Sequence, residues 1–344
     1  MYSIDPDIAR AATLPGSFYS DEAAFAAMRE RVFARTWQWL GPLDDVASPG
    51  TLSPRTLLPG CLEEPLLLAR DGHSELRCLS NVCTHRGNLL ITGPCRAAQI
   101  RCGYHSRRFD LAGRMTYMPE FEAAFDFPSP SDDLPRVPLH TWAGHGFASL
   151  APAAPAEAFF GDVARDLAEA PLARMCHDPT RDREFALRAH WALYVENYLE
   201  GFHIPFVHPG LNEALEPGSY AADLFRYSNR QSARDRDGAL AARYWWVFPN
   251  LMLNFYDWGL SLNVVEPEAI DRTRVLFRAY VWDPSRLETG AGASLDRVEA
   301  EDEAIVEAVQ RGVRSRLYTR GRFSPARERG VHHFQRLLAE FLSG

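Results

Sequence analysis

Four potential metal ligands crowd into one short stretch, and nothing else in the chain constrains it as strongly. Cys83 and His85 are followed, after sixteen intervening residues, by Cys102 and His105. The order is Cys-x-His, then Cys-x-x-His, so each tight loop brings one thiolate and one imidazole. Glycine frames both loops, Gly87 after the first and Gly103 inside the second, and small residues let backbone N–H groups approach sulfur closely. Two cysteines and two histidines can hold a structural zinc ion, or a 2Fe–2S cluster whose histidines ligate one iron and whose cysteines ligate the other. A zinc finger keeps its cysteines together and its histidines together in ββα surroundings. Here each loop is mixed and its surroundings read as β. The remaining cysteines, Cys61, Cys78, Cys95 and Cys176, are expected to be small buried hydrophobes.

Composition narrows the chemistry further. All 37 basic residues are arginine, which excludes a lysine Schiff base, a P-loop and a kinase-type ATP site. A net charge of −8 disfavours nucleic acid and anionic membrane as partners. No apolar run reaches the roughly 18 residues of a membrane span, and the acidic first thirty residues do not read as a signal peptide. The expected location is the cytoplasm.

The pattern divides the 344 residues into three parts. Residues 1–40 read as a helical segment, with a helix over 18–40 opening at Ser20-Asp21-Glu22 and packing on the C-terminal domain. Residues 41–150 alternate short apolar runs with Gly, Pro, Asn and Asp, as in a small all-β domain. Beyond the Pro/Ala linker at 150–155, residues 151–344 carry helices near 157–170 and 190–203 and antiparallel strands within 244–265 and 273–282. Two long helices, from about 295 and over 326–342, close the chain. The fold class is α+β. The Gly-Ala-Gly-Ala run near 290 reads as a surface loop.

A second constellation lies in the C-terminal part, in the segment Glu196-Asn-Tyr-Leu-Glu200-Gly-Phe-His203-Ile-Pro-Phe-Val-His208. On a continuous helix Glu196, Glu200 and His203 share a face, whereas His203 and His208 point about 140° apart. Pro205 should end that helix and let the two imidazoles converge on one metal. Two histidines and one carboxylate form the facial triad of mononuclear Fe(II) oxygenases. The late helix around Glu301-Asp302-Glu303 offers three consecutive acids. With Val298 at zero, Ile305, Val309 and Val313 lie at about −20°, about +20° and about +60°, counting about 100° per residue. Asp302, at about +40°, falls inside that stripe as the one inward acid. Glu301 and Glu303, at about −60° and about +140°, fall on its edge and outside it, as solvated acids.

The segments Cys83-Thr-His-Arg-Gly87 and Cys102-Gly-Tyr-His-Ser-Arg-Arg-Phe-Asp-Leu-Ala-Gly113, with the Glu-x-x-His-x₄-His motif of Glu200, His203 and His208, resemble the Rieske non-haem iron oxygenases over nearly the whole chain. The resemblance implies an all-β Rieske domain over 41–150 and a helix-grip-like catalytic domain over 151–344, usually assembled as a homotrimer. It implies a 2Fe–2S cluster on Cys83, His85, Cys102 and His105, and a mononuclear Fe(II) on His203, His208 and the late acid Asp302. Electrons would come from NAD(P)H through a separate reductase carrying flavin and iron–sulfur centres, with or without a ferredoxin. Glu200 would be the catalytic bridge, accepting hydrogen bonds from His203 and, across a subunit interface, from His105. The family more often has Pro after the second Cys and Gly-Trp after the second His, so Gly103, Ser106 and Arg107 depart from it, on a surface expected to dock partners.

Glu200, where arene dioxygenases typically carry Asp, and the Gln310-Arg-Gly tract resemble the choline, carnitine and glycine-betaine monooxygenase branch. The resemblance thus implies hydroxylation or oxidative dealkylation of a quaternary ammonium or N-methyl compound. The aromatic segment 244–258 could cage such a cation or simply fill a sheet. An aromatic-ring dioxygenase or aromatic-acid hydroxylase is the second reading. Two non-oxygenase readings are a Rieske electron carrier, which would need only the part of the chain up to Leu150, and a colourless zinc-binding protein.

Overall fold

The computed structural model describes residues 2–214, 216, 220–234, 236–238, 240–287 and 295–343. The Gly-Ala-Gly-Ala run lies outside them. Two compact units emerge: Ala34–Ala153, and Met1–Phe33 together with Ala154–Gly344.

The first of these units is built from short antiparallel strands. Its five-stranded sheet runs in the order Cys95–Arg96, Thr51–Leu57, Glu64–Arg70, Leu76–Ser80, Arg136–Val137. Smaller three-stranded sheets join Gln38–Pro42 to Leu139–Trp142 through His145–Ala148, and Ile100–Arg101 to Met115–Tyr117 through Arg108–Phe109. The run Leu66–Ala69 is apolar throughout because its two faces feed two cores. Leu67 and Ala69 pack with Leu52, Ile100, Phe109, Cys83 and Cys102. Leu66 and Leu68 pack with Leu40, Val46, Leu57 and Cys78. The cysteine of each candidate ligand loop is thereby rooted in one hydrophobic core. Cys61 and Cys78 are buried as expected, but Cys95 and Cys176 are exposed, both on two-residue strands that have no covered face.

The expected helix over 18–40 is shorter and broken. Helix α1 spans Glu22–Arg31, its N-terminus capped by Asp21, which accepts from the N–H groups of Ala23 and Ala24. The chain then passes through a 3₁₀ turn at Phe33–Arg35 into the strand Gln38–Pro42, where Trp37, Trp39 and Leu40 favour a pleated surface over a helix.

In the other unit, an eight-stranded antiparallel sheet among the described residues forms the platform. From one edge it runs Cys176–His177, Arg272–Val281, Gly259–Ala269, Leu251–Tyr256, Leu240–Val247, Ser228–Arg234, Ala221–Leu224, with Arg183–Leu187 also pairing Arg272–Val281. Helices α2 (Glu157–Asp166), α3 (Trp191–Tyr198), α4 (Ile204–Val207), α5 (Pro209–Ala214), α6 (Leu295–Val313) and α7 (Arg329–Ser343) complete it. The long strands and the spans of the last two helices agree with the sequence reading. The helix expected over 190–203 instead stops at Tyr198.

Candidate metal centres

The two loops of the β unit are near copies of each other. In the first, Cys83 N–H donates to Asn88 C=O and Gly87 N–H returns to Cys83 C=O; in the second, Cys102 N–H donates to Arg107 C=O and Ser106 N–H returns to Cys102 C=O. Both turns require a left-handed residue four places after the cysteine. Gly87 supplies φ +71° and Ser106 φ +60°. The result is a pair of hairpins that bring the thiols of Cys83 and Cys102 within hydrogen-bonding reach and set the rings of His85 and His105 4.8 Å apart. Cys102 Sγ accepts from Tyr104 N–H at 3.4 Å and Asn88 Nδ2 at 3.7 Å, the pattern that stabilises a thiolate. His105 Nδ1 is buried with no hydrogen-bond partner among the described residues, an orphan that a metal ion would satisfy. The donor set therefore fits a 2Fe–2S group.

One turn holds both loops. Asp132 C=O accepts from Thr84 Oγ1 of the first loop at 2.7 Å, and Asp132 Oδ1 pairs with Arg107 of the second at 2.6 Å. Arg107 is 2% exposed and its guanidinium lies over the rings of Phe109 and Phe127. The expectation that Arg107 shapes a docking surface is thus corrected: the side chain is buried and braces the cluster loops from behind.

In the other unit, His203, His208 and Asp302 present ligand atoms that all lie within 4.8 Å of one another. His208 Nε2 and His203 Nε2 both face Asp302 Oδ1, at 3.0 and 3.5 Å. Each ring's Nδ1 is held by a different carboxylate: His203 by Glu200 Oε1 at 2.6 Å, His208 by Glu301 Oε2 at 2.8 Å. Asn197 Nδ2 donates to Asp302 Oδ1 at 2.7 Å. A carboxylate on Nδ1 fixes the tautomer with its lone pair on Nε2, the arrangement a metal needs. Burial disfavours charge on His208, but hydrogen bonds and charge from Asp302 and Glu301 outweigh it and raise its pKa. A divalent cation among these groups would take the place of that proton.

The convergence of the histidines has a different cause from the one expected. Helix α3 ends at Tyr198, well before Pro205, and Pro205 instead lies in the first turn of α4, where its missing N–H is harmless. Glu200 sits in the break, not on a helix face, and its Oε2 accepts from the N–H groups of Phe202 and His203. Gly201 keeps the break tight, since a Cβ there would stand 2.6 Å from the Tyr220 ring.

The phase of α6 also needs correction. Its buried residues are Glu299, Val306, Gln310 and Val313, while Ile305 and Val309 are exposed. On the scale used above, Glu299, Val306 and Gln310 lie at about +100°, about +80° and about +120°, so the inward face is rotated from the apolar stripe by about 75°. Asp302 still reaches the site from the flank of that face, but it is not the one inward acid. Glu299 is buried more deeply, and Glu301 is no solvated bystander because it grips His208. The apolar signal misled because Glu299 and Gln310 occupy core positions through specific bonds: Tyr194 Oη donates to Glu299 Oε2 at 2.8 Å, and Gln310 Oε1 accepts from His190 N–H at 2.7 Å.

A cavity of about 120 Å³ adjoins the triad, lined by Tyr194, Tyr198, Tyr220, Tyr244 and Tyr256 together with His203, His208 and Asp302. The aromatic segment 244–258 therefore divides its labour. Tyr244 and Tyr256 wall the cavity, whereas Trp245, Trp246 and Phe248 are wholly buried core.

Residues 36–136 match the family described as Rieske [2Fe-2S] domain, and residues 219–344 match the family described as ring hydroxylating alpha subunit (catalytic domain). The carnitine monooxygenase oxygenase subunit of Escherichia coli (strain K12) is 29% identical, over 95% of this chain and 93% of that protein. The chloroplastic choline monooxygenase of Arabidopsis thaliana is 27% identical, over 97% of this chain and 84% of that protein. Among solved structures, a quaternary ammonium Rieske monooxygenase in complex with L-carnitine superposes with a TM-score of 0.80 at 22% identity, covering 99% of both chains. With both domains matched, and two sets of side chains fitted to a 2Fe–2S cluster and a mononuclear iron, the chain belongs to the Rieske non-haem iron oxygenases as an alpha subunit.

Proposed function

We propose that this chain is a terminal oxygenase acting on a small quaternary ammonium or N-methylated cation. The observation that carries the substrate class is the tyrosine-walled cavity beside the His203, His208 and Asp302 triad. Ring faces attract a desolvated cation, which an uncharged arene would not exploit. The similar proteins described as choline and carnitine monooxygenases support the same class.

Cys83, His85, Cys102 and His105 would hold the cluster, and His203, His208 and Asp302 the iron. When bound, these groups supply electron storage and O₂ activation. The chain's own residues do the rest. Glu200 and Glu301 fix the imidazole tautomers and ring orientations. Asn197 restrains Asp302, and the tyrosines hold the substrate cation in a space shielded from bulk water. In net terms, a substrate C–H bond becomes C–OH, the second oxygen atom leaves as water, and two electrons and two protons are consumed. A hydroxylated N-methyl group then separates as formaldehyde.

Electrons would arrive from an NAD(P)H-dependent reductase. We place Glu200 as the polar link to the partner subunit's His105 in a head-to-tail trimer. Supporting this, Phe202, Phe206, Ile305 and Val309 leave apolar surface exposed around Glu200 and His203. A reducing compartment is supported by six cysteines that form no disulfide, and among the described residues no helix is long and apolar enough to cross a membrane.

The test is a substrate screen with reductant and O₂, scored by oxygen consumption and by formaldehyde or aldehyde release. Turnover of a cationic methylamine or quaternary ammonium compound is expected. Hydroxylation of aromatic acids with no turnover of any cation would replace this reading.

A further inference from the structure

Of the buried polar atoms that have no hydrogen-bond partner among the described residues, Glu299 Oε1 and Trp258 Nε1 belong to side chains that share one place in the fold. Both side chains line a second cavity, of about 140 Å³. Its wall shares Phe277, Leu295 and Glu299 with the tyrosine-walled cavity, so Glu299 borders both spaces and stands one helical turn before Asp302. The two orphans are opposite in kind, one an acceptor on an acid and the other an N–H donor.

Native proteins rarely leave such groups idle, because each forfeits its bonds to water and gains none in return. The other polar groups of the cavity are already engaged. Ser261 Oγ donates to Asn263, Arg183 pairs with Asp296, and Arg181 with Asp178. Glu299 uses its second oxygen on Tyr194, and Trp258 stacks on Tyr256 with ring centroids 5.3 Å apart. Burial, then repulsion from Asp302, raises the Glu299 pKa well above the ordinary carboxyl range. Positive charge brought into the cavity would favour its ionised form.

We propose that Glu299 and Trp258 are paired polar recognition groups that act beside the tyrosine walls: the carboxylate takes the cationic nitrogen and the indole N–H takes an oxygen of the same molecule. The preferred substrate is then a small cation that also bears a hydroxyl, carbonyl or carboxylate oxygen. This rests on the proposed oxidation of a cationic amine and adds which side chains select it.

The experiment is anaerobic equilibrium binding to the holoenzyme by calorimetry, so that no turnover intervenes. Three probes are used: choline, its neutral isostere 3,3-dimethylbutan-1-ol, and tetramethylammonium, which lacks the oxygen. Wild type should bind choline more tightly than either. Glu299→Gln should weaken choline and tetramethylammonium by about ten- to a hundredfold, the loss of a charge-assisted contact, and leave the isostere nearly unchanged. Trp258→Phe should weaken choline by about fivefold and spare tetramethylammonium. Glu299→Asp, made alongside and checked by cluster absorbance and iron content, should keep the preference for choline over its isostere.

A Glu299→Gln protein that still prefers choline over the isostere as wild type does would overturn the role of Glu299 while leaving the substrate class standing. Equal loss of choline and tetramethylammonium in Trp258→Phe would overturn the role of Trp258. Wild type binding the isostere as tightly as choline would overturn the substrate class and this inference together.

Discussion

Each imidazole of the proposed iron site is gripped from behind by its own carboxylate, and the two carboxylates come from different elements. Glu200 belongs to the break after α3, Glu301 to α6. Asp302→Ala should therefore lose the mononuclear iron and retain the Rieske absorbance, measured by metal analysis and visible spectroscopy. Glu301→Gln should keep the fold and weaken iron retention by about ten- to a hundredfold in chelator competition, because His208 loses a charged restraint. Glu200→Gln should retain both metals, since Gln still offers one acceptor to His203. Chemical reduction of the cluster should be normal, while cluster reoxidation followed by stopped flow, with substrate and O₂ present, should be strongly slowed. Iron loss in Glu200→Gln would make Glu200 a ligand, and reoxidation at the wild-type rate would remove its bridging role.

At the scale of elements, the cluster loops are two hairpins with one brace. Arg107, buried and paired to Asp132, joins the second hairpin to the turn that also holds Thr84 of the first. Arg107→Ala leaves Asp132 without its ion-pair partner and empties a buried volume, so stability should fall by about 3 kcal/mol in denaturant titration, with cluster loss preceding global unfolding. Ser106→Gly acts in the opposite direction. Ser106 holds φ +60° where the equivalent position of the first hairpin is glycine, so the substitution should stabilise by about 1 kcal/mol, less the bond that Ser106 Oγ accepts from Arg101.

In the iron-binding unit taken whole, a buried acid ties the N-terminal segment to the helices. Glu196 Oε1, on α3, accepts from Tyr19 Oη at 2.7 Å and from Gln335 Nε2 of α7 at 2.9 Å, while Gln335 Oε1 accepts from Leu14 N–H. Burial raises the Glu196 pKa to about 7, against the lowering effect of those two donors. A carboxyl whose folded pKa is raised stabilises the fold fully only below its ordinary range, and that contribution is lost as pH climbs through about 7. Wild type should therefore lose up to about 3 kcal/mol relative to Glu196→Gln between about pH 4.5 and about pH 8, read from unfolding midpoints across that range. The assembly is testable by sedimentation, where a homotrimer should give three times the 38.7 kDa chain mass.

The donor types and spacings at Cys83, His85, Cys102, His105, His203 and His208 were legible without coordinates, because metal ligation demands particular atoms and leaves few substitutes. The all-β character around the first group and the two late helices were legible for a related reason: period 2 and period 3.6 are written in local apolar order. Three features were not. Helix α3 stops at Tyr198 in a break that Pro205 does not cause, and the ring packed against Gly201 there is that of Tyr220, a distant residue in sequence. The inward face of α6 carries Glu299 and Gln310, which look like surface residues until Tyr194 and the His190 backbone supply their bonds. Glu301 reads as solvated until His208, far away along the chain, arrives beside it. Local order registers what a side chain prefers in water, whereas the partner that makes a buried acid tolerable comes from elsewhere in the chain, and only the folded packing brings the two together.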